Sequence, residues 1–337
     1  MKHSFRNDYN TIGHPDILQV LVDNAKVVNV GYGFDEETKK LNEKVKNITK
    51  QDVECYALAG GTQTNLIAIS KVLYNYEGVI SVESGHINVH ETAAVEGSGH
   101  KIITVPGKNG KVYPEDVENV MRNYADCHMV KPSMVYISNS TEIGTVYNKE
   151  ELINLYNVCK KYNLYLFLDG ARLPVALTCE ENDMTIEDIA AYTDAFYLGG
   201  TKNGMPLGEL LVLKHPDMKK DFKYHLKNKG GMLSKSYFLS YMFNAYLKDN
   251  FYLNIASKTN EFANYLRSEL TKVGIEIVYP NPTNQIFCSL NDEQLNKIEN
   301  DYDFEVWEKR DSGTVIRLVT SWCTTKQAID DLISDLK

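Results

Sequence analysis

Phe167-Leu168-Asp169-Gly170-Ala171-Arg172-Leu173 and, after a helical interval, Ala195-Phe196-Tyr197-Leu198-Gly199-Gly200-Thr201-Lys202-Asn203-Gly204-Met205-Pro206-Leu207-Gly208 are the stretches from which the fold is read. Residues 164–168 form an apolar run of buried-strand length, and Asp169 follows it directly. Residues 195–198 form a second such run, followed by Gly199, Gly200, Thr201 and Lys202. In an open parallel sheet, ligands bind beyond the carboxyl ends of the strands, so Asp169 and Lys202 are expected to face one pocket. An aspartate to pair with a ring nitrogen and a lysine to form an imine are what pyridoxal phosphate chemistry requires.

On both sides of this stretch the chain alternates strands and helices. Upstream, strands are predicted at 55–58, 79–82, 101–105 and 134–138, and helices at 16–28, 36–46, 66–76, 114–129 and 149–162. Asn148 with Glu151 fits a capping box at the start of the last of these. Such alternation implies an α/β fold with a largely parallel, covered sheet. Downstream, 209–213 reads as one more strand. A helical region spans 233–273, with a break near Asp249-Asn250. The tail reads as α+β, with strands at 276–279, 286–290, 304–307 and 315–319 and helices at 292–300 and 325–336. The expected division is a polar arm over 1–20, a large domain over 21–245 and a small α+β domain over 246–337.

A chain of 337 residues is long enough for two domains. Its net charge of −9 argues against broad nucleic-acid binding. The six cysteines show no Cys-x-x-Cys and no ligand-spaced cysteine–histidine cluster, so no metal site is expected. Reduced cysteines, a polar N-terminus without an apolar signal core and no apolar run of membrane-spanning length predict a cytoplasmic protein with no membrane partner.

Each candidate residue carries a functional reading beside a plainer one. Gly60-Gly61-Thr62, between a strand and a helix, suits an anion, because glycines admit it closely and a helix start offers free N–H groups. The same residues suit a turn with Thr62 as helix cap. His86 either stacks on a flat ring or is a hydrogen-bonded loop histidine, with Glu91 placed to orient it. Asp169, part-buried after its strand, needs a partner. That partner is either a protonated ring nitrogen or Arg172, which is otherwise free for a ligand oxygen. Lys202 is an imine lysine or a loop-surface lysine. Arg317, inside the apolar run Val315-Ile316-Arg317-Leu318-Val319, meets either a substrate carboxylate or a salt-bridge partner on an edge strand. Lys235 contacts a phosphate or lies on a helix surface.

Together these residues resemble the low-specificity threonine aldolase and β-eliminating lyase family, fold type I pyridoxal phosphate enzymes. Tyr32-Gly33-x-Asp35 with Thr38 and Leu41, Gly61-Thr62-Gln63-x-Asn65, His86 with Glu91, Asp169-Gly170-Ala171-Arg172, Thr201-Lys202 with Gly204 and Pro206-Leu207-Gly208, and Arg317-Leu318-Val319-Thr320 match its motifs in order. Two positions depart from the pattern: Thr141 and Ser321 stand where the family often has histidine.

The resemblance implies a transferase-like fold with a mostly parallel seven-stranded sheet and a smaller C-terminal domain. It implies pyridoxal 5'-phosphate as the cofactor and a homodimer, or dimer of dimers, with shared active sites. Lys202 would hold the cofactor, Asp169 its ring nitrogen, Gly61, Thr62 and Thr201 its phosphate side, and His86 its ring face. His86, or a water it holds, would also be the base. Lys235 would add a phosphate contact, within its own subunit or across a subunit interface. Arg317, Arg172 and Thr141 would line the substrate, and Tyr32 would do so by reaching into the active site of the other subunit. The implied reaction is cleavage of a β-hydroxy-α-amino acid to glycine and an aldehyde. β-Elimination and transamination are the neighbouring alternatives, and a ligand-binding protein without activity is the more distant one.

Overall fold

The computed structural model describes residues 2–337. Its strands are β1 His3–Ser4, β2 Glu54–Leu58, β3 Glu77–Val82, β4 Lys101–Val105, β5 Lys131–Ser138, β6 Tyr165–Asp169, β7 Ala195–Gly199 and β8 Glu209–Leu213, then β9 Glu276–Ile277, β10 Gln285–Leu290, β11 Tyr302–Asp303, β12 Glu305–Arg310 and β13 Gly313–Val319. Seven of them form one sheet in the order β2-β8-β7-β6-β5-β3-β4. All its pairings are parallel except those of β8 with β2 and β7. β3, β7 and β8 are buried along their whole length, as strands of a sheet covered on both faces are. Separate apolar cores lie on the sheet's two faces.

A smaller antiparallel sheet, ordered β12-β13-β10-β9, packs with the helices Phe251–Lys272 and Lys326–Leu336 around a third core. The expected break in the long helical region occurs where Asp249 and Asn250 adopt left-handed φ of 50° and 57°. Arg317 lies on an interior strand, because β13 is paired on both sides. It does not lie on an edge.

Three helices differ from their predicted extents by several residues. The helix predicted over 16–28 is Pro15–Asp23, closed at Asn24, whose backbone and side chain both donate to the Val20 carbonyl. The one predicted over 114–129 is Pro114–Asn123. The helix predicted over 66–76 begins at Gly61 and ends at Val72. Its cap is Gly60, with no side-chain capping bond, so Thr62 is inside the helix and is not its cap.

The N-terminal residues are part of the folded body. β1 pairs parallel with β11, the Val319 amide donates to the Phe5 carbonyl at 2.7 Å, and Phe5 is buried in the small-domain core. All six cysteines are free, four of them buried. No helix among the described residues is long and apolar enough to cross a membrane.

Candidate active site

The site gathers at the carboxyl ends of β2, β3, β5, β6 and β7. Asp169 closes β6 and is 4% exposed. Its Oδ1 accepts from the Tyr197 hydroxyl (2.5 Å) and the Ala171 amide (3.0 Å). Its Oδ2 accepts from the Tyr136 hydroxyl (2.6 Å) and Asn65 Nδ2 (3.0 Å). Burial pushes this carboxyl up, but the His86 charge and these donors outweigh it and hold the acid below its ordinary range. The network continues outward: Asn65 Nδ2 also donates to Glu91 (2.7 Å), and Glu91 bonds His86 Nδ1 at 2.8 Å. Burial alone lowers the His86 pKa; the Glu91 bond and the Glu142 and Asp169 charges overcome it, so the ring is raised towards its cationic form.

Lys202 is carried by the turn after β7. The Gly200 and Thr201 amides donate to the Gly208 carbonyl (3.0 and 3.2 Å), and Asn203 Nδ2 donates to the Ala171 and Gly199 carbonyls (2.9 Å each). The turns after β6 and β7 interlock so closely that a Cβ on Gly170 would lie 1.8 Å from the Tyr197 carbonyl oxygen. One on Gly199 would lie 2.2 Å from that of Ala171. Glycine at these positions is what brings Asp169 and Lys202 to one cavity. Burial lowers the Lys202 pKa, the Arg172 charge lowers it further, and Asp8, Glu142 and Asp169 only partly oppose this.

Beneath the turn, Glu209 is 4% exposed and accepts from the Gly200 amide at 3.1 Å. Burial pushes its carboxyl up to about 8 from an ordinary 4.5. A carboxyl raised on folding binds more protons in the folded state, so it draws stability down as pH climbs from about 4.5 to about 8. Glu209→Gln is expected to remove that decline, flattening the dependence of Tm on pH over this window. Profiles for variant and wild type that run parallel across it would refute the assignment.

Two joined cavities open above these residues. One of about 300 Å³ is lined by Gly60, Gly61, Thr62, Ser140, Asp169, Thr201 and Glu209 among others. The other, about 350 Å³ and strongly polar, is lined by Arg6, Asn7, His90, Glu305 and Arg317. Tyr9, His86, Glu142, Arg172 and Lys202 line both. Arg317 Nη1 donates to Gln285 Oε1 (3.1 Å), its Nη2 pairs with Glu305, and its guanidinium carbon lies 5.4 Å from the Trp307 ring centroid.

Arg172 does not pair with Asp169. Its Nε and Nη2 donate to the two oxygens of buried Asp8 (2.7 and 3.1 Å), and Asn284 Nδ2 donates to Asp8 as well (3.0 Å). The structure thus brings together Gly61, Thr62, His86, Asp169, Arg172, Thr201, Lys202 and Arg317. Three of the predicted residues lie elsewhere. Thr141 is buried beside the cavity with its hydroxyl on that of Thr145 (2.7 Å), and its neighbours Ser140 and Glu142 line the wall instead. Tyr32 is 42% exposed on a separate cavity with Gly33 and Ser240, and Lys227 sits over its ring. Lys235 is exposed and lines neither cavity of the site. Asp126, Cys127 and His128, overlooked as a cluster in the sequence, have ligand-type atoms within 4.8 Å of one another on an exposed loop.

The residues fit pyridoxal 5'-phosphate. An ionised acid and an amine of lowered basicity share one cavity, and the helix beginning at Gly61 has no side chain on its first amides. Above Gly60 a Cβ would meet nothing within 4 Å, and the buried Ser140 hydroxyl at the wall has no partner.

Fold and site together define a pyridoxal phosphate enzyme of the aminotransferase-like class. A single mutant of Thermus thermophilus aspartate aminotransferase superposes with a TM-score of 0.71 at 14% identity, over 98% of this chain and 90% of that one, a likeness of fold. A Leishmania major threonine aldolase superposes with a TM-score of 0.97 at 38% identity, over 99% and 98% of the two chains. The low specificity L-threonine aldolase of Pseudomonas sp. (strain NCIMB 10558) is 30% identical over 312 residues, 91% of this chain and 89% of its own. The family model for beta-eliminating lyases matches residues 4–293, and the chain belongs to that family. It is a pyridoxal 5'-phosphate-dependent lyase.

Proposed function

We propose that this protein cleaves a β-hydroxy-α-amino acid of the threonine type to glycine and an aldehyde. The observation that carries the proposal is a single cavity faced by ionised Asp169 and by Lys202, with the guanidinium groups of Arg172 and Arg317 on the adjoining wall. The threonine aldolases similar to this chain over most of its length support the substrate class.

In this reading the amine of Lys202 would be the covalent anchor for the cofactor. When bound, pyridoxal phosphate supplies an electron sink for the pair released at Cα. Asp169, kept ionised by its four donors, would hold a proton on the ring nitrogen. The amides at Gly61 and Thr62, with the Thr201 side chain, would take the phosphate. His86, oriented by Glu91, would cover one face of the ring. Arg317 binds the substrate carboxylate, which displaces Glu305 from it, and Arg172 contributes the Nη1 that Asp8 leaves free.

The division at residues 20 and 245 belongs to the same proposal, with residues 2–8 lying on the small domain. So does a homodimer or dimer of dimers. Val28, Val30, Tyr32 and Phe34 expose 96%, 65%, 42% and 56% of their surface along one short segment, beside exposed Lys235. A second copy seated there would bring Tyr32 and Lys235 towards its site. Sedimentation of the protein as a monomer at working concentration would rule this out. Free, mostly buried cysteines suit a reducing compartment, and the cytoplasm is the proposed location.

Incubation of the cofactor-loaded enzyme with a panel of β-hydroxy amino acids tests the reaction. Equimolar glycine and aldehyde are expected. Release of pyruvate and ammonia in their place would assign β-elimination.

A further inference from the structure

The turn after β5 carries an acid that none of these roles employs. Among the acids around the two cavities, Glu91 is engaged by His86, Asp8 by Arg172, Glu305 by Arg317, and Asp169 and Glu209 by their donors. Glu142 is half-buried, and no cation of the site holds it among the described residues. It is the one carboxylate common to both cavities. Its charge reaches His86, Arg172, Lys202 and Arg317.

Its position is built. The turn is closed by the Thr141 amide on the Thr145 carbonyl and the Gly144 amide on the Thr141 carbonyl, both at 2.9 Å. Three side chains of the small domain then hold its carbonyls: Gln285 on Thr141 (3.2 Å), Asn281 on Ile143 (2.9 Å) and Thr283 on Gly144 (2.7 Å). Gln285 is also the residue that takes Arg317 Nη1. One amide side chain therefore ties the turn bearing Glu142 to the strand bearing Arg317, fixing the free acid relative to the guanidinium.

Resting on the reading of the site as an aldol-cleaving one, we propose that Glu142 accepts the proton of the substrate's β-hydroxyl, the role expected of His86. As the O–H proton passes to a Glu142 oxygen, the O–H electron pair becomes the new carbonyl bond of the aldehyde. The Cα–Cβ bond breaks and its pair stays with Cα. Cα gains one proton to become the methylene of glycine, so the proton lost by the hydroxyl is balanced without a co-reactant. His86 is poorly suited to be this acceptor. Its Nδ1 is committed to Glu91, and that bond with the surrounding acids raises it towards the imidazolium, which has no free acceptor.

The test compares two reactions of the cofactor-loaded enzyme. Cleavage of threonine needs a β-hydroxyl acceptor. Exchange of the Cα proton of glycine in deuterated water needs the same cofactor, Lys202 and carboxylate clamp, but no such acceptor. In Glu142→Gln, cleavage is expected to fall about 100-fold or more, the range of a lost general base, while glycine exchange and the cofactor's absorbance band stay near wild type. Glu142→Asp, which keeps a carboxylate, is expected to cleave at an intermediate rate and guards against a misfolded glutamine variant. Cleavage by Glu142→Gln near the wild-type rate overturns the proposal. So does a parallel loss of cleavage and exchange in both variants, which marks a structural role. Wild-type enzyme that exchanges glycine but releases no aldehyde from any β-hydroxy amino acid overturns the underlying reading instead, and the proposal with it.

Discussion

Lys202→Ala is expected to abolish the near-visible absorbance band that the protein develops with pyridoxal phosphate, and to lower amino-acid cleavage by on the order of 10⁴-fold or more, as loss of a nucleophile does elsewhere. The size of the effect follows from the environment. An ordinary lysine is protonated at neutral pH and attacks a carbonyl poorly. Burial against the Arg172 charge lowers the basicity of this one, so more of it is present as the free amine. The flanking turn, pinned by Asn203 to the Ala171 and Gly199 carbonyls, then delivers it to the cavity that Asp169 faces. Lys202→Arg keeps the charge but not the amine and is expected to fail equally. A Lys202→Ala protein that retains both band and activity would remove Lys202 from the chemistry.

Asp8→Ala is expected to cost about 3–5 kcal/mol of stability, the range for removing one partner of a buried ion pair. Asp8 is 2% exposed and Arg172 6%, and two hydrogen bonds join them. Truncation leaves a buried guanidinium without its counter-charge and Asn284 Nδ2 without one of its two acceptors. Burial opposes ionisation of Asp8, but Arg172 and Lys202 hold its carboxyl below the ordinary 3.8. Its contribution is therefore complete at neutral pH and is lost as pH falls through the lowered folded value. Urea unfolding at pH 7 measures the loss. The double variant Asp8→Ala/Arg172→Leu is expected to recover much of it, because removing both charges leaves none unpaired. A single variant within about 1 kcal/mol of wild type would show the pair to be open to water.

The residues legible from sequence were those with local signatures. Asp169 follows its apolar strand directly, Lys202 lies in the glycine-rich turn after the next one, and the Gly61 turn separates a strand from a helix, so the strand ends marked all three. The residues that set their chemistry have no such mark. Asp8 lies 164 positions before Arg172 and is delivered by pairing of the N-terminus with the small domain. The turn bearing Glu142 is tied to the small domain by Gln285 through the Thr141 carbonyl, which no periodicity reports. Tyr136 and Tyr197 were within reach: each is a tyrosine in a predicted buried strand, and a buried hydroxyl requires a partner. Thr141 was misplaced by one position, because the side chains on either side of it are the ones that line the cavity.

The attachment of the N-terminus also bears on the order in which the molecule can be completed. Phe5 accepts from Val319, and β1 waits for β11, so the segment that carries Asp8 cannot settle until more than three hundred residues have been synthesised. The large sheet, whose last strand ends at Leu213, can assemble while the ribosome is still working, but Arg172 must stay without its acid through that interval. A chain cut short before β13 would lose Arg317 and, with it, the anchor that seats Asp8. Nascent or truncated protein would therefore possess Lys202 and Asp169 without a finished pocket around them. Completion of the pocket in this fold waits on the pairing of His3–Phe5 with β11 and β13, which seats Asp8 on Arg172.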